Sequence, residues 1–107
     1  AGKESNVKEF SPTTVLNGIA DTLVLEAKFA SKEDALRSLA RAAVRERMVR
    51  YRRRIQRLER KHGTDFDGFT QILAGHATPQ QEDDRLSWRS AVDMLNEWQA
   101  VYQSLAA

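Results

Sequence analysis

An all-α fold follows from three features of this 107-residue chain. First, no Pro or Gly interrupts residues 32–62, a stretch that makes a helix about 46 Å long at 1.5 Å per residue. Second, apolar residues recur there, and again after Thr78, at alternating spacings of three and four, which is the period of a helical seam. Third, cap-type residues stand where the periodic stretches begin, and glycines stand where two of them end.

The N-terminal stretch carries two patterns. Ser11-Pro12 has the form of a helix start, and Val15, Leu16, Ile19, Leu23, Ala27 and Ala30 share one helical face. Leu23, Leu25, Ala27 and Phe29 also alternate as a strand would, and Gly18 weakens a helix. Helix is preferred; the other reading is a short ribbon that would dimerise. The polar residues 1–10 are set aside as a disordered or expression-derived tail, leaving residues 11–107 as a single helical domain.

The long helix opens at Ser31-Lys32-Glu33-Asp34, a capping-box pattern with Ser31 as acceptor and Asp34 reaching back. Gly63 is placed for a left-handed C-cap. Val44, Met48, Tyr51, Ile55, Leu58 and His62 form its seam, continued upstream by Leu36, Leu39, Ala40 and Ala43. Thr64-Asp65-Phe66-Asp67 then predicts a short helix capped by Thr64, with Phe66, Phe69, Ile72 and Leu73 on one face and Gly75 as its stop. Thr78-Pro79-Gln80-Gln81 starts the last helix, with Pro79 at the first helical position. Its seam is Trp88, Ala91, Leu95, Trp98, Tyr102 and Leu105. Two seams of equal period and similar length predict an antiparallel helical hairpin, with the short helix between its arms. The expected core is Val44, Met48, Tyr51, Ile55, Leu58, Phe66, Phe69, Trp88, Leu95, Trp98 and Tyr102. Apolar faces left over after this packing suggest a homodimer.

The formal net charge of +2 conceals a strong asymmetry. Residues 35–61 hold eleven Lys or Arg against Glu46 and Glu59, while residues 62–107 hold seven acids against Arg85 and Arg89. Nine bases fall between positions 45 and 61: Arg45, Arg47, Arg50, Arg52, Arg53, Arg54, Arg57, Arg60 and Lys61. At 100° per residue they surround the helix except along its apolar stripe. Three readings stay open. The block is a solvated surface partly paired with the chain's own acids. It grips an acidic protein partner, since guanidinium groups bind carboxylates by two parallel hydrogen bonds. Or it contacts nucleic-acid phosphates without reading sequence. Gln56 is the one amide among these bases that suits a base edge, so a protein partner is preferred to DNA.

Other constellations carry less. Glu82-Asp83-Asp84 suits the dipole of a helix start, or an ion pair near Arg57 and Arg60, or, with further oxygen ligands, a divalent cation. His62 and His76 lack zinc spacing, and His62 reads as a packing or helix C-terminal residue. The aromatic residues form either a core or a stacking platform for single-stranded nucleic acid, and their helical spacing favours core. No hydrolase elbow, phosphate loop or dinucleotide fingerprint occurs. Catalytic, cofactor-binding and metal-binding residues are therefore all expected to be absent. Cysteine is absent, which excludes disulfides and thiolate sites and suits a cytoplasmic protein. The apolar runs are too short to span a bilayer, and no signal-peptide pattern opens the chain.

Two stretches carry a resemblance. Lys61-His62-Gly63-Thr64-Asp65-Phe66-Asp67-Gly68-Phe69 resembles a K-Y-G-x-S-F-E-E-F motif, with His62 in place of Tyr and Asp67-Gly68 in place of the paired Glu. Glu82-Asp83-Asp84-Arg85-Leu86-Ser87-Trp88-Arg89-Ser90-Ala91 resembles an E-D-D-x-x-x-W-x-x-A motif. Together, over roughly residues 31–100, they are similar to a family of small helical bacterial and archaeal proteins, several of which are thought to be antitoxin components of toxin–antitoxin pairs. The resemblance implies a non-catalytic protein that binds and neutralises a partner toxin through a helical surface.

Overall fold

The computed structural model describes residues 11–106, and the tail expected at residues 1–10 lies outside them. The described residues form four helices and no strand: α1 (Pro12–Leu25), α2 (Lys32–His62), α3 (Phe66–Leu73) and α4 (Pro79–Ala106). The fold is all-α. Backbone proximity divides the described residues into two compact units that meet between Ala42 and Ala43, inside α2.

In the first unit the helical reading holds as far as Leu25, and Ala27 and Ala30, expected on the same face, lie beyond the helix end. Ser11 caps α1, its Oγ accepting from the Thr14 amide at 3.2 Å, and Pro12 takes the first helical position. The apparent strand alternation fails because the chain turns at Ala27, where φ is +59°. Lys28 N–H donates to Leu23 O at 3.1 Å and Ala27 N–H to Val24 O at 2.9 Å. This pair of bonds closes a helix end with a left-handed residue, the position glycine usually takes. Ala20 and Ala35 are the buried apolar residues of this unit, and Lys32 lies 3.6 Å from Asp21. Ser31 caps α2 as expected, accepting from the Asp34 amide at 3.1 Å. The Asp34 carboxylate lies 3.9 Å from Arg37 Nη1, one turn further along α2.

The second unit is the hairpin. Arg45 Nη2 lies 3.4 Å from the Tyr102 hydroxyl, and His62 Nε2 lies 2.8 Å from Asp84 Oδ2. Seventeen residues separate the two contacts on α2 and eighteen on α4. Near-equal separation in opposite chain directions sets an antiparallel register over about 26 Å. Gly63, with φ of +68°, ends α2 in the left-handed conformation expected of it. The cap of α3 differs from expectation by one residue. Asp65, not Thr64, is the N-cap, accepting from the Gly68 amide at 2.7 Å. Both residues carry a capping oxygen, and a Cβ on Gly68 would collide with Thr64 Oγ1, so the missing side chain makes room for Thr64 beside the first turn. The cap of α4 forms in both directions: Gln81 N–H donates to Thr78 Oγ1 at 3.2 Å, and Thr78 N–H donates to Gln81 Oε1 at 2.9 Å.

The core lies where α3 closes the hairpin. Leu58, Phe69, Leu73 and Trp88 are buried together, with Ile55, Phe66 and Val92 packed against them. Val44, Met48 and Ala91 are also buried. Tyr51, Ile55, Phe66, Leu95, Trp98 and Tyr102 are half-buried. Trp88 is fully buried, with the Phe69 ring centre 5.5 Å away and that of Phe66 5.8 Å away. Trp98 differs: its indole Nε1 is buried without a hydrogen-bond partner.

Three stability outcomes follow. Replacing Trp88 by Ala costs about 3–5 kcal/mol in denaturant unfolding, because it empties the centre of the core. Trp98→Phe changes stability by less than about 1 kcal/mol, because the lost packing is offset by removal of an unpaired donor. Ala27→Gly protects α1 amides from hydrogen exchange by about 0.5–1 kcal/mol, because glycine adopts a left-handed φ without the Cβ clash.

Candidate functional site

The structure sorts the nine bases at positions 45–61 of α2 by what they touch. Arg45 reaches Tyr102, with its guanidinium carbon 5.8 Å from the ring centre. Arg54 stands over Tyr51 at 5.4 Å. Arg50 Nη2 donates to Glu46 Oε1 at 2.8 Å. Lys61 Nζ lies 2.7 Å from Asp84 Oδ2. Arg47, Arg52, Arg53, Arg57 and Arg60 are exposed, and none of them has an ionic, hydrogen-bonding or ring partner among the described residues. At 100° per residue, Arg53, Arg57 and Arg60 fall within an arc of about 60°. That arc faces away from the seam holding Val44, Met48 and Leu58. The bases surround the helix, yet three unpaired ones form a ridge along its outer side.

An uncompensated ridge is unfavourable by itself. Arg53 and Arg57 are four residues apart and Arg57 and Arg60 three, and like charges at these spacings cost about 0.2–0.5 kcal/mol per pair. Two acids of the 82–84 cluster are spent elsewhere. Glu82 accepts from Arg85 Nε at 3.0 Å, and Arg85 holds its carboxyl below the usual glutamate range. Asp84 pairs with Lys61 and His62 at the end of α2. The expected neighbours Arg57 and Arg60 are therefore not the partners of the 82–84 cluster. The register places Asp84 opposite the last residues of α2, and the outer side of that helix is out of its reach.

His62 is built into the fold. Its ring stacks on Phe69 with centres 4.0 Å apart and lies 6.0 Å from Trp88. With Asp84 ionised, the contact requires a proton on Nε2. Lys61 first, and then His62, hold the Asp84 carboxyl below the usual aspartate range. The pair clamps the end of α2 to the start of α4. Among the described residues, no group of three or more His, Asp or Glu is placed to hold a metal ion.

One cleft, about 260 Å³ in volume, opens beside this clamp. Ile55, Phe66, Trp88 and Val92 form its apolar walls, and Glu59, Asp65 and Asp67 line it with carboxylates. None of the three acids pairs with a cation among the described residues. Sequence reasoning missed this feature. Asp65, Phe66 and Asp67 are adjacent in the chain, but Glu59 and Val92 join them only through the hairpin register.

No protein-family model matches the chain, and neither do curated proteins or solved structures. Among the described residues no helix is long and apolar enough to cross a membrane.

The clamp has a pH signature. A carboxylate held below its ordinary value of 3.8 stabilises the fold fully above that value. The contribution fades as pH falls through the lower, folded-state value. Asp84→Asn is therefore less stable than the parent chain at neutral pH, and the difference shrinks when thermal unfolding is repeated in progressively stronger acid.

Proposed function

We propose that this chain is a non-catalytic binding protein that docks the arginine ridge of α2 on a carboxylate-rich surface of a protein partner. The observation that carries this reading is the division among the bases. Four of the nine are held by groups of the same chain, whereas Arg47, Arg52, Arg53, Arg57 and Arg60 are exposed without partners among the described residues. A second surface carrying carboxylates would relieve their mutual repulsion and accept their paired N–H donors. The antitoxin resemblance over residues 31–100 gives the partner a class: a toxin that the helical surface covers. The reading takes the chain as a cytoplasmic homodimer.

A nucleic-acid reading has one observation in its favour. Arg53, Arg57 and Arg60 lie on one side of an exposed helix, as phosphate contact requires. Three phosphate contacts would give a slope of about −2.7 in log affinity against log salt.

The triple variant Arg53→Glu/Arg57→Glu/Arg60→Glu separates these readings while leaving the core intact. Co-expressed with the adjacent gene, the parent chain relieves a growth defect and co-purifies with the product, and the triple variant does neither. A neighbour that is harmless when expressed alone ends the toxin reading. Binding of duplex DNA by the parent chain at low salt, lost in the triple variant, replaces the protein partner with nucleic acid.

A further inference from the structure

The cleft between α2, α3 and α4 is small and amphipathic. Sites for drug-sized ligands occupy roughly 300–1,000 Å³, so a space of about 260 Å³ suits one long side chain better than a cofactor. Its chemistry is selective. Phe66 offers a half-buried ring beside Ile55 and Val92, while Glu59, Asp65 and Asp67 supply carboxylates without cationic partners among the described residues. A carboxylate on Asp65 already caps α3 through the Gly68 amide, which leaves Glu59 and Asp67 as the free acceptors. An aliphatic stem ending in a planar cation satisfies both parts: the stem lies on the apolar walls, and the guanidinium meets the ring face and the acids.

The chain carries that group on the same flank. Arg52 is exposed and unpaired among the described residues, and it precedes Glu59 by seven residues. Seven residues turn an α-helix to within about 20° of the starting direction, so Arg52 and Glu59 point the same way, about 10 Å apart along α2. Within one copy Arg52 does not meet the acids. Two copies of α2 laid antiparallel about an axis near Gln56 bring each Arg52 opposite the other copy's Glu59. The contact repeats itself under the two-fold, which is the defining property of an isologous interface. Gln56, whose amide both donates and accepts, then faces its own symmetry mate.

We infer that the cleft is the acceptor half of a self-interface, into which the Arg52 side chain of a second copy inserts beside Glu59 and the Phe66 ring. The inference rests on the homodimer included in the proposed function and names the surface that forms it. It leaves the Arg53, Arg57 and Arg60 ridge open to a partner.

The test uses charge exchange in the full chain, with mass measured by analytical ultracentrifugation over a concentration series and helix content by circular dichroism. The parent chain is dimeric. Arg52→Glu and Glu59→Arg each raise the dimer dissociation constant by at least about tenfold, the size expected for breaking a close charge pair twice per interface. Mixing the two single variants produces a heterodimer, because both 52–59 pairs across that interface are again of opposite sign. The double variant Arg52→Glu/Glu59→Arg dimerises more tightly than either single variant, by at least about threefold, yet short of the parent, because Asp67 still faces the introduced glutamate. A parent chain that stays monomeric overturns both the homodimer and the cleft assignment. A dimer indifferent to either reversal, or single variants that fail to form a heterodimer, overturns the cleft assignment alone and leaves the homodimer standing. Partner capture by the ridge is scored separately with the triple variant at positions 53, 57 and 60.

Discussion

The hairpin depends on one local arrangement, the stack of His62, Phe69 and Trp88 at its closed end. Each ring comes from a different helix: His62 from α2, Phe69 from α3 and Trp88 from α4. Aromatic side chains bury large areas and favour particular ring geometries, so this contact sets the spacing and the register of three elements together. Asp84 reinforces it from the side, binding the same histidine and the neighbouring Lys61. With that end secured, the seams of α2 and α4 meet in step as far as Arg45 and Tyr102. Which acids neutralise which bases, and where the cleft opens, are consequences of this register.

Much of the architecture was legible because its causes are local. Helical periodicity follows from 3.6 residues per turn, and the seams of α2 and α4 could be traced residue by residue. The caps at Ser11, Ser31 and Thr78, and the left-handed Gly63, depend on groups only a few positions away. The error at Thr64 has the same origin. Two adjacent residues could each cap α3, and only the fit around Gly68 distinguishes them. Ala27 was illegible for the opposite reason: nothing in alanine signals a left-handed residue, so the end of α1 looked like a continuing pattern.

The candidate site was legible in composition but not in arrangement. The nine bases are plain in the sequence. Their division into held and free is not, because it depends on where Tyr51, Tyr102, Glu46 and Asp84 fall around the helix. The cleft is less visible still, since Glu59 and Val92 meet only through contacts distant in sequence. Charge counting locates a basic block; it takes the hairpin register to show that its outer ridge is left without counter-ions among the described residues while Lys61 is used internally.

The choice of arginine over lysine on that ridge has a chemical consequence. An arginine keeps its charge at any pH a folded protein survives, and it is not a substrate for lysine acetylation. Arg53, Arg57 and Arg60 therefore present a field that dissolved salt or physical coverage weakens but acetyl transfer does not. Lys61 is the only lysine among the nine bases. Acetylating it would spare the ridge and act instead on the clamp at Asp84, converting a surface modification into a loss of fold stability.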